Sequence, residues 1–268
     1  NAGDVMDGGL GTDTIVLNGN GVLGGWAVDL SAADQVTQHG GVSNAAVQKG
    51  FENVTASALT GSFGLDITGT AKANVIIGSD QNDNFNPGLG ADDITLGSGA
   101  DFVDITESTS SADKIRFSVA ASAGLNTITG FNAAADILEL PISDTKEAGV
   151  GTGASTKIDI GASASDTVGA AAGIYLDNTD NLGGVAASDV DTSAGDLTTV
   201  ATDSFFYIAG TAAGDTHIFE VSIAGTSFVA ANDTYTHIAT LNGVTASDLT
   251  AANFIYVSSG TDTNYVAV

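Results

Sequence analysis

The residues best placed to do chemistry in this sequence are aspartates that follow closely spaced glycines. Residues 8–16, GGLGTDTIV, combine three glycines, one aspartate and a β-branched apolar run. Asp13 supplies carboxylate oxygens, and glycine lets the chain adopt the positive φ values that bring backbone carbonyls into a tight turn. Such oxygen-rich turns suit calcium, a hard cation that takes about 6–8 oxygen ligands. The nine residues therefore predict a metal-binding turn followed by a short strand.

Two longer series share a spacing of nine residues further along the chain. The apolar series is Ile67, Ile76, Phe85, Ile94 and Val103. The polar series is Asn74, Asp83, Asp92 and Asp101. A run of ordinary hairpins with Gly/Asp turns is the alternative, but hairpins rarely keep one spacing over four units. Asp4 lies nine residues before Asp13, so we expect the chain to begin inside a repeat of a longer protein.

This pattern resembles the nonapeptide of the RTX (repeats-in-toxin) family, G-G-x-G-x-D-x-U-x, where U is apolar. The resemblance is specific over residues 4–16 and 74–104, and it is weaker between them. The sequence departs from the family at Asn74, which stands at an aspartate position. It departs again at residues 78–81, which lack the second and third glycines. The resemblance implies an all-β fold that contains a parallel β-roll, the calcium-binding solenoid of this family.

In the family, each nonapeptide makes a turn and a short strand, and successive units lie on opposite sides of a flattened coil. Turns 18 residues apart then stack and hold calcium (Ca2+) through aspartate carboxylates and backbone carbonyls. The apolar series faces inward as a thin core, so calcium binding is expected to be coupled to folding. The resemblance implies these calcium-binding positions: Asp4, Gly9, Gly11, Asp13, Asn74, Asp83, Gly88, Gly90, Asp92, Gly97, Gly99 and Asp101.

The repeats end before the second half of the chain. We expect an interrupted RTX β-roll over residues 1–141 and a β-rich C-terminal domain over residues 142–268. Residues 203–225 predict two strands around a glycine-containing loop. A capping-box pattern from Thr245 to Asp248 predicts one or two helical turns. The last residues, FIYVSSGTDTNYVAV, resemble the C-terminal signal of type I secreted proteins, and a terminal pair of strands is the alternative.

Composition excludes several classes of partner. The 268 residues hold 32 acidic and 6 basic side chains, for a net charge of −26. Nucleic acid and anionic membrane surfaces are poor partners for such a chain, because binding them needs clustered Lys and Arg. The absence of cysteine rules out disulfides and zinc–thiolate sites. No apolar run reaches the length of a membrane span, so we expect no membrane insertion.

No catalytic motif stands out in the sequence. His39, His217 and His237 are far apart and match no metal-ligand spacing, and we expect the last two to be satisfied strand histidines. The chain contains no G-x-S-x-G nucleophile elbow and no P-loop. A pair of carboxylates for glycoside hydrolysis remains an alternative in so acidic a chain, although no motif identifies such a pair. We therefore expect a protein that is not an enzyme.

Two functions of different classes fit the resemblance. The first is a calcium-binding, secreted structural protein that self-assembles into a surface layer or filament, most like the C-terminal part of an RTX S-layer protein. Its expected partners are copies of itself in a homo-oligomer or lattice, and cell-surface polysaccharide. The alternative is the C-terminal, calcium-dependent folding and secretion module of a larger RTX toxin, adhesin or hydrolase. Either would be extracellular or at the cell surface.

Overall fold

A computed structural model describes residues 5–21, 24–118, 124–142, 158–161, 167–168, 174–186, 198–199, 204–222, 234–258 and 265–266. Strands account for 52% of the structure and helix for 3%, which confirms the predicted all-β class with parallel sheets. Two compact units make up the chain, Asn1–Gly130 and Phe131–Val268. The functional division expected at residues 141 and 142 stays a prediction.

The first unit contains fourteen described strands. They are β1 (Val5–Asp7), β2 (Thr14–Gly21), β3 (Trp26–Asp29), β4 (Val36–His39), β5 (Val42–Ser43), β6 (Val47–Lys49), β7 (Asn53–Gly61), β8 (Leu65–Thr70), β9 (Val75–Ile77), β10 (Asn84–Gly88), β11 (Asp93–Thr95), β12 (Phe102–Asp104), β13 (Lys114–Arg116) and β14 (Asn126–Thr129). One sheet has the order β2-β7-β9-β11-β13, and the other has the order β5-β4-β3-β8-β10-β12-β14. From β7 to β14, successive strands alternate between the two sheets.

The pairing register shows how the repeat builds this coil. Phe85 pairs in parallel with Ile67 and with Val103, each 18 residues away, and Ile76 pairs with Ile94 at the same spacing. One full coil therefore takes two nonapeptides. All five of these apolar side chains are buried, because strand residues alternate between the two faces of a sheet. The core of this unit thus includes the predicted inward positions.

The second unit contains ten described strands. They are β15 (Ile137–Ile142), β16 (Ile158–Gly161), β17 (Thr167–Val168), β18 (Ile174–Leu182), β19 (Thr198–Thr199), β20 (Ser204–Thr211), β21 (Thr216–Ser222), β22 (Thr234–Asn242), β23 (Phe254–Ser258) and β24 (Tyr265–Val266). One sheet has the order β16-β18-β20-β21-β22, and β20, β21 and β22 pair antiparallel in sequence. The two strands expected in residues 203–225 are β20 and β21.

Two short 3-10 turns, Ala246–Asp248 and Ala251–Asn253, lie before β23. The helical turns were expected, but the capping box is not at Thr245, whose side chain makes no capping hydrogen bond. It lies at Thr250, where the hydroxyl accepts from the amide of Ala252 and the Asn253 side chain accepts from the amide of Thr250. Asparagine completes this box, so an S/T-x-x-D/E pattern misses it. No described helix is long and apolar enough to cross a membrane.

Candidate metal centre

The predicted aspartate positions of the second repeat block form two columns at the turns of the first unit. The Asn74 column consists of Asn74, Asp92 and Asp113, and the Asp83 column consists of Asp83, Asp101 and Asn126. Within each column, a side-chain oxygen accepts from the backbone amide of the member before it. The donor and acceptor atoms lie 2.7 Å apart for Asn74 to Asp92, 2.9 Å for Asp83 to Asp101, 2.8 Å for Asp92 to Asp113 and 2.9 Å for Asp101 to Asn126. All six side chains are buried.

Glycine is required where successive turns touch. Gly88 and Gly97 adopt φ values of +96° and +97°, a region that favours glycine. A Cβ atom at Gly97 would lie 1.8 Å from the carbonyl oxygen of Ser79, and one at Gly88 would lie 2.1 Å from that of Thr70. Gly90 and Gly99 also have positive φ, and a Cβ atom at either would lie 2.6 Å from the backbone of the preceding turn. The turns therefore stack backbone on backbone.

Two carboxylates in these columns keep one oxygen without a protein partner. Oδ2 of Asp92 and Oδ2 of Asp101 are buried and accept no hydrogen bond. A buried anionic oxygen without a partner is costly, so it must gain a proton or a cation. Asp13 shares this feature, since its Oδ2 is also buried and unpartnered. Each of these three aspartates follows a turn with two correctly spaced glycines.

The two positions that depart from the repeat behave differently. Both carboxylate oxygens of Asp83 accept hydrogen bonds, from the amide of Leu65 and from the amide and hydroxyl of Ser79. The Asn74 side chain accepts from the amide of Thr70 and donates to the carbonyl of Glu52. The protein itself therefore satisfies Asn74 and Asp83. Bare oxygens occur at the matching turns, which is the pattern expected where a cation completes the site.

The pKa values of Asp83, Asp92 and Asp101 follow the same difference between satisfied and bare carboxylates. Burial raises the pKa of Asp101 to about 8, and the amide of Asp83 opposes the rise while the Asp83 carboxylate adds to it. Burial raises the pKa of Asp92 to about 7, with a further rise from the charges of Asp113 and Glu107. Burial raises the pKa of Asp83 only to about 6, because the hydrogen bonds from Ser79 and Leu65 stabilise its charged form and lower the pKa. Without a cation, Asp92 and Asp101 are thus costlier to ionise than Asp83.

The first repeat block makes the same kind of amide-to-carboxylate contact at a different spacing. Gly9 and Gly11 have φ values of +91° and +125°, as a metal-binding turn requires. The amide of Asp13 donates to Glu52 across 2.9 Å, since β2 pairs with β7 in a register that places Thr14 beside Asn53. Asp13 is therefore followed in its column by Glu52 rather than by a nonapeptide aspartate. The predicted ligand Asp4 lies outside the described residues.

Sequence reasoning missed three residues whose side chains accept these backbone amides, Glu52, Asp113 and Asn126. Ile94 pairs with Ile115 and Val103 pairs with Ile128, so these coils take 21 and 25 residues instead of 18. A search for a period of nine cannot find them. The signal that remains is local: Asp113-Lys114-Ile115 and Asn126-Thr127-Ile128 repeat the polar-x-apolar triplet of Asp92-Asp93-Ile94.

Side chains alone do not make a complete metal shell here. Within the described ranges, no three His, Cys, Asp or Glu side chains converge as a metal-binding group. A calcium ion at Asp92 or Asp101 would need backbone carbonyls from the glycine turns as well, and the donor set suits it because every donor is oxygen. The chain matches no family model and no curated protein.

Proposed function

We propose that the first unit is an RTX-type β-roll that folds around calcium, in a secreted structural protein that assembles into a surface layer. The observation that carries the proposal is the bare oxygen at Asp13, Asp92 and Asp101. A cation removes the cost of ionising the buried carboxylates of Asp92 and Asp101, and calcium accepts the carbonyl and carboxylate oxygens that these turns can offer. Folding would then be coupled to calcium binding.

Self-assembly is supported by the outer surface of the coil. Val16, Val75 and Phe102 are 62%, 43% and 42% exposed on β2, β9 and β12. These apolar side chains lie outside the core and are available for contact between copies. A net charge of −26 opposes contact between copies, so calcium would act twice, by folding the subunit and by bridging acidic faces. Export by a C-terminal signal and contact with cell-surface polysaccharide belong to the same proposal.

The deciding experiment is negative-stain electron microscopy with circular dichroism, in EGTA and in about 5 mM calcium, above the roughly 10⁻⁴–10⁻³ M dissociation constants of extracellular calcium modules. We expect β structure to form with calcium and ordered sheets or filaments to dissolve in EGTA. Isolated particles in both conditions, with a calcium-dependent spectrum, would favour the folding and secretion module of a larger protein. Identical spectra in EGTA and calcium would overturn the calcium-coupled fold.

A further inference from the structure

A second cluster of metal-ligating side chains lies in the second unit, on neighbouring strands β21 and β22. His217 and Thr240 are direct cross-strand partners. The register then shifts, since Ile218 pairs with Ala239 but the next residue, Phe219, pairs with His237. This bulge brings His237 to the same face as His217 and Thr240, whereas regular alternation would turn it away. Bulges commonly re-aim a side chain beside a functional site.

Three side-chain atoms form a triangle with equal sides on this face. His217 Nδ1, His237 Nε2 and Thr240 Oγ1 are each 3.2 Å from the other two. Ligands that lie about 2.0–2.1 Å from a tetrahedral zinc ion are separated by roughly 3.3 Å. The triangle therefore has the size of one face of such a coordination shell. His237 Nε2 donates a hydrogen bond to the carbonyl oxygen of Ala239 across 3.0 Å, since a carbonyl can only accept.

The packing holds the two rings in this arrangement. Phe219 stacks on the ring of His237, with centroids 4.7 Å apart. The rings of His217 and His237 meet edge to face, with centroids 5.1 Å apart. His217 is only 8% exposed, so its ring is held among its neighbours.

We propose that His217 Nδ1, His237 Nε2 and Thr240 Oγ1 bind a divalent transition-metal ion, with zinc as the natural candidate. Two imidazole nitrogens select zinc, copper or nickel over calcium, so this site differs in chemistry from the carboxylate columns. Binding needs no net loss of protons, but the single N–H of His237 must move from Nε2, which donates to the Ala239 carbonyl, to Nδ1. The N–H of His217 lies on Nε2, and the hydroxyl binds neutral. The inference does not depend on the calcium proposal.

Nuclear magnetic resonance of the wild-type chain tests the site without any substitution. The sequence holds only three histidines, so only three pairs of imidazole ring signals need to be resolved. With calcium at about 5 mM to occupy carboxylate sites, substoichiometric Ni2+ should broaden the ring signals of His217 and His237 but spare those of the exposed His39. Added zinc should restore both pairs. Equal broadening of all three histidines, or none, would overturn the site.

Calorimetry with zinc, in the same calcium buffer, measures what each ligand contributes. His237→Gln should weaken zinc binding by about tenfold or more, since even partners outside the coordination shell are worth about 10–100-fold in affinity. His39→Gln is the matched control and should bind as the wild type does. Thr240→Val tests the third ligand and should weaken binding less than His237→Gln. Unchanged zinc affinity in a folded His237→Gln variant would refute the assignment. If that variant does not fold, the nickel experiment on the wild-type chain decides the question instead.

Discussion

Replacing Asp101 with asparagine separates what its carboxylate does with and without calcium. Asparagine keeps an oxygen that can accept the amide of Asp83, but it removes the charge. The pKa of Asp101 is about 8 in the fold against 3.8 for the exposed group, and each tenfold change in proton affinity corresponds to about 1.4 kcal/mol. Ionisation of this buried group therefore costs the calcium-free fold up to about 5 kcal/mol at pH 8.

The amide of the variant also leaves a buried NH2 group to satisfy, at a cost of about 1–3 kcal/mol. In EGTA at pH 8, Asp101→Asn should therefore raise the free energy of unfolding of the first unit by about 2–4 kcal/mol. In saturating calcium, the same substitution should lower the free energy of unfolding. Loss of the ligand charge weakens binding by at least about tenfold, which removes at least about 1.4 kcal/mol of calcium-induced stability.

Trp26 is the only tryptophan and lies in β3 of the first unit, so its fluorescence reports unfolding of this unit in urea. Sucrose in the buffer keeps a folded baseline without calcium, because it favours the compact chain. The matched control is Asp66→Asn, which removes the same charge from an exposed position of β8 and should change stability by less than about 0.5 kcal/mol. A fall in stability in EGTA for Asp101→Asn would refute the argument from its bare oxygen.

Two further predictions concern the same columns. In EGTA, the free energy of unfolding of the first unit should fall as pH rises from about 4 to about 8. Burial raises the pKa values of Asp83, Asp92 and Asp101 to about 6, 7 and 8, so in this range the folded chain holds protons that the unfolded chain has lost. In urea titrations, saturating calcium should flatten this pH profile, and a rise in stability with pH would contradict the prediction. Gly97→Ala should cost about 1–3 kcal/mol more than Gly9→Ala, since both have positive φ but only the first would press a Cβ against the preceding turn. Equal losses in thermal unfolding would argue against close stacking.

The nine-residue spacing, together with the family resemblance that it carries, predicted the coil where the repeat is regular. Each turn depends on glycine φ angles within a few residues, and each strand buries one apolar side chain such as Phe85 or Ile94. Both are local properties, which made the repeat visible, and the resemblance to the RTX nonapeptide implied the 18-residue register that pairs Phe85 with Ile67 and Val103. The two departures at Asn74 and at residues 78–81 were also visible, and both coincide with satisfied side chains in the structure.

Only the tertiary structure decided which distant residues extend the columns. Asp83 and Asp101 each accept one amide from the coil before, that of Leu65 and that of Asp83. They differ because Ser79, four residues before Asp83, also satisfies the second oxygen of Asp83. Asp113 and Asn126 reach their columns through longer coils, because parallel strands keep their register while the loops between them vary in length. His217 and His237 meet only because a bulge in β22 changes the alternation of the strand. Sequence thus determined the repeating unit, and long-range register determined what each unit faces.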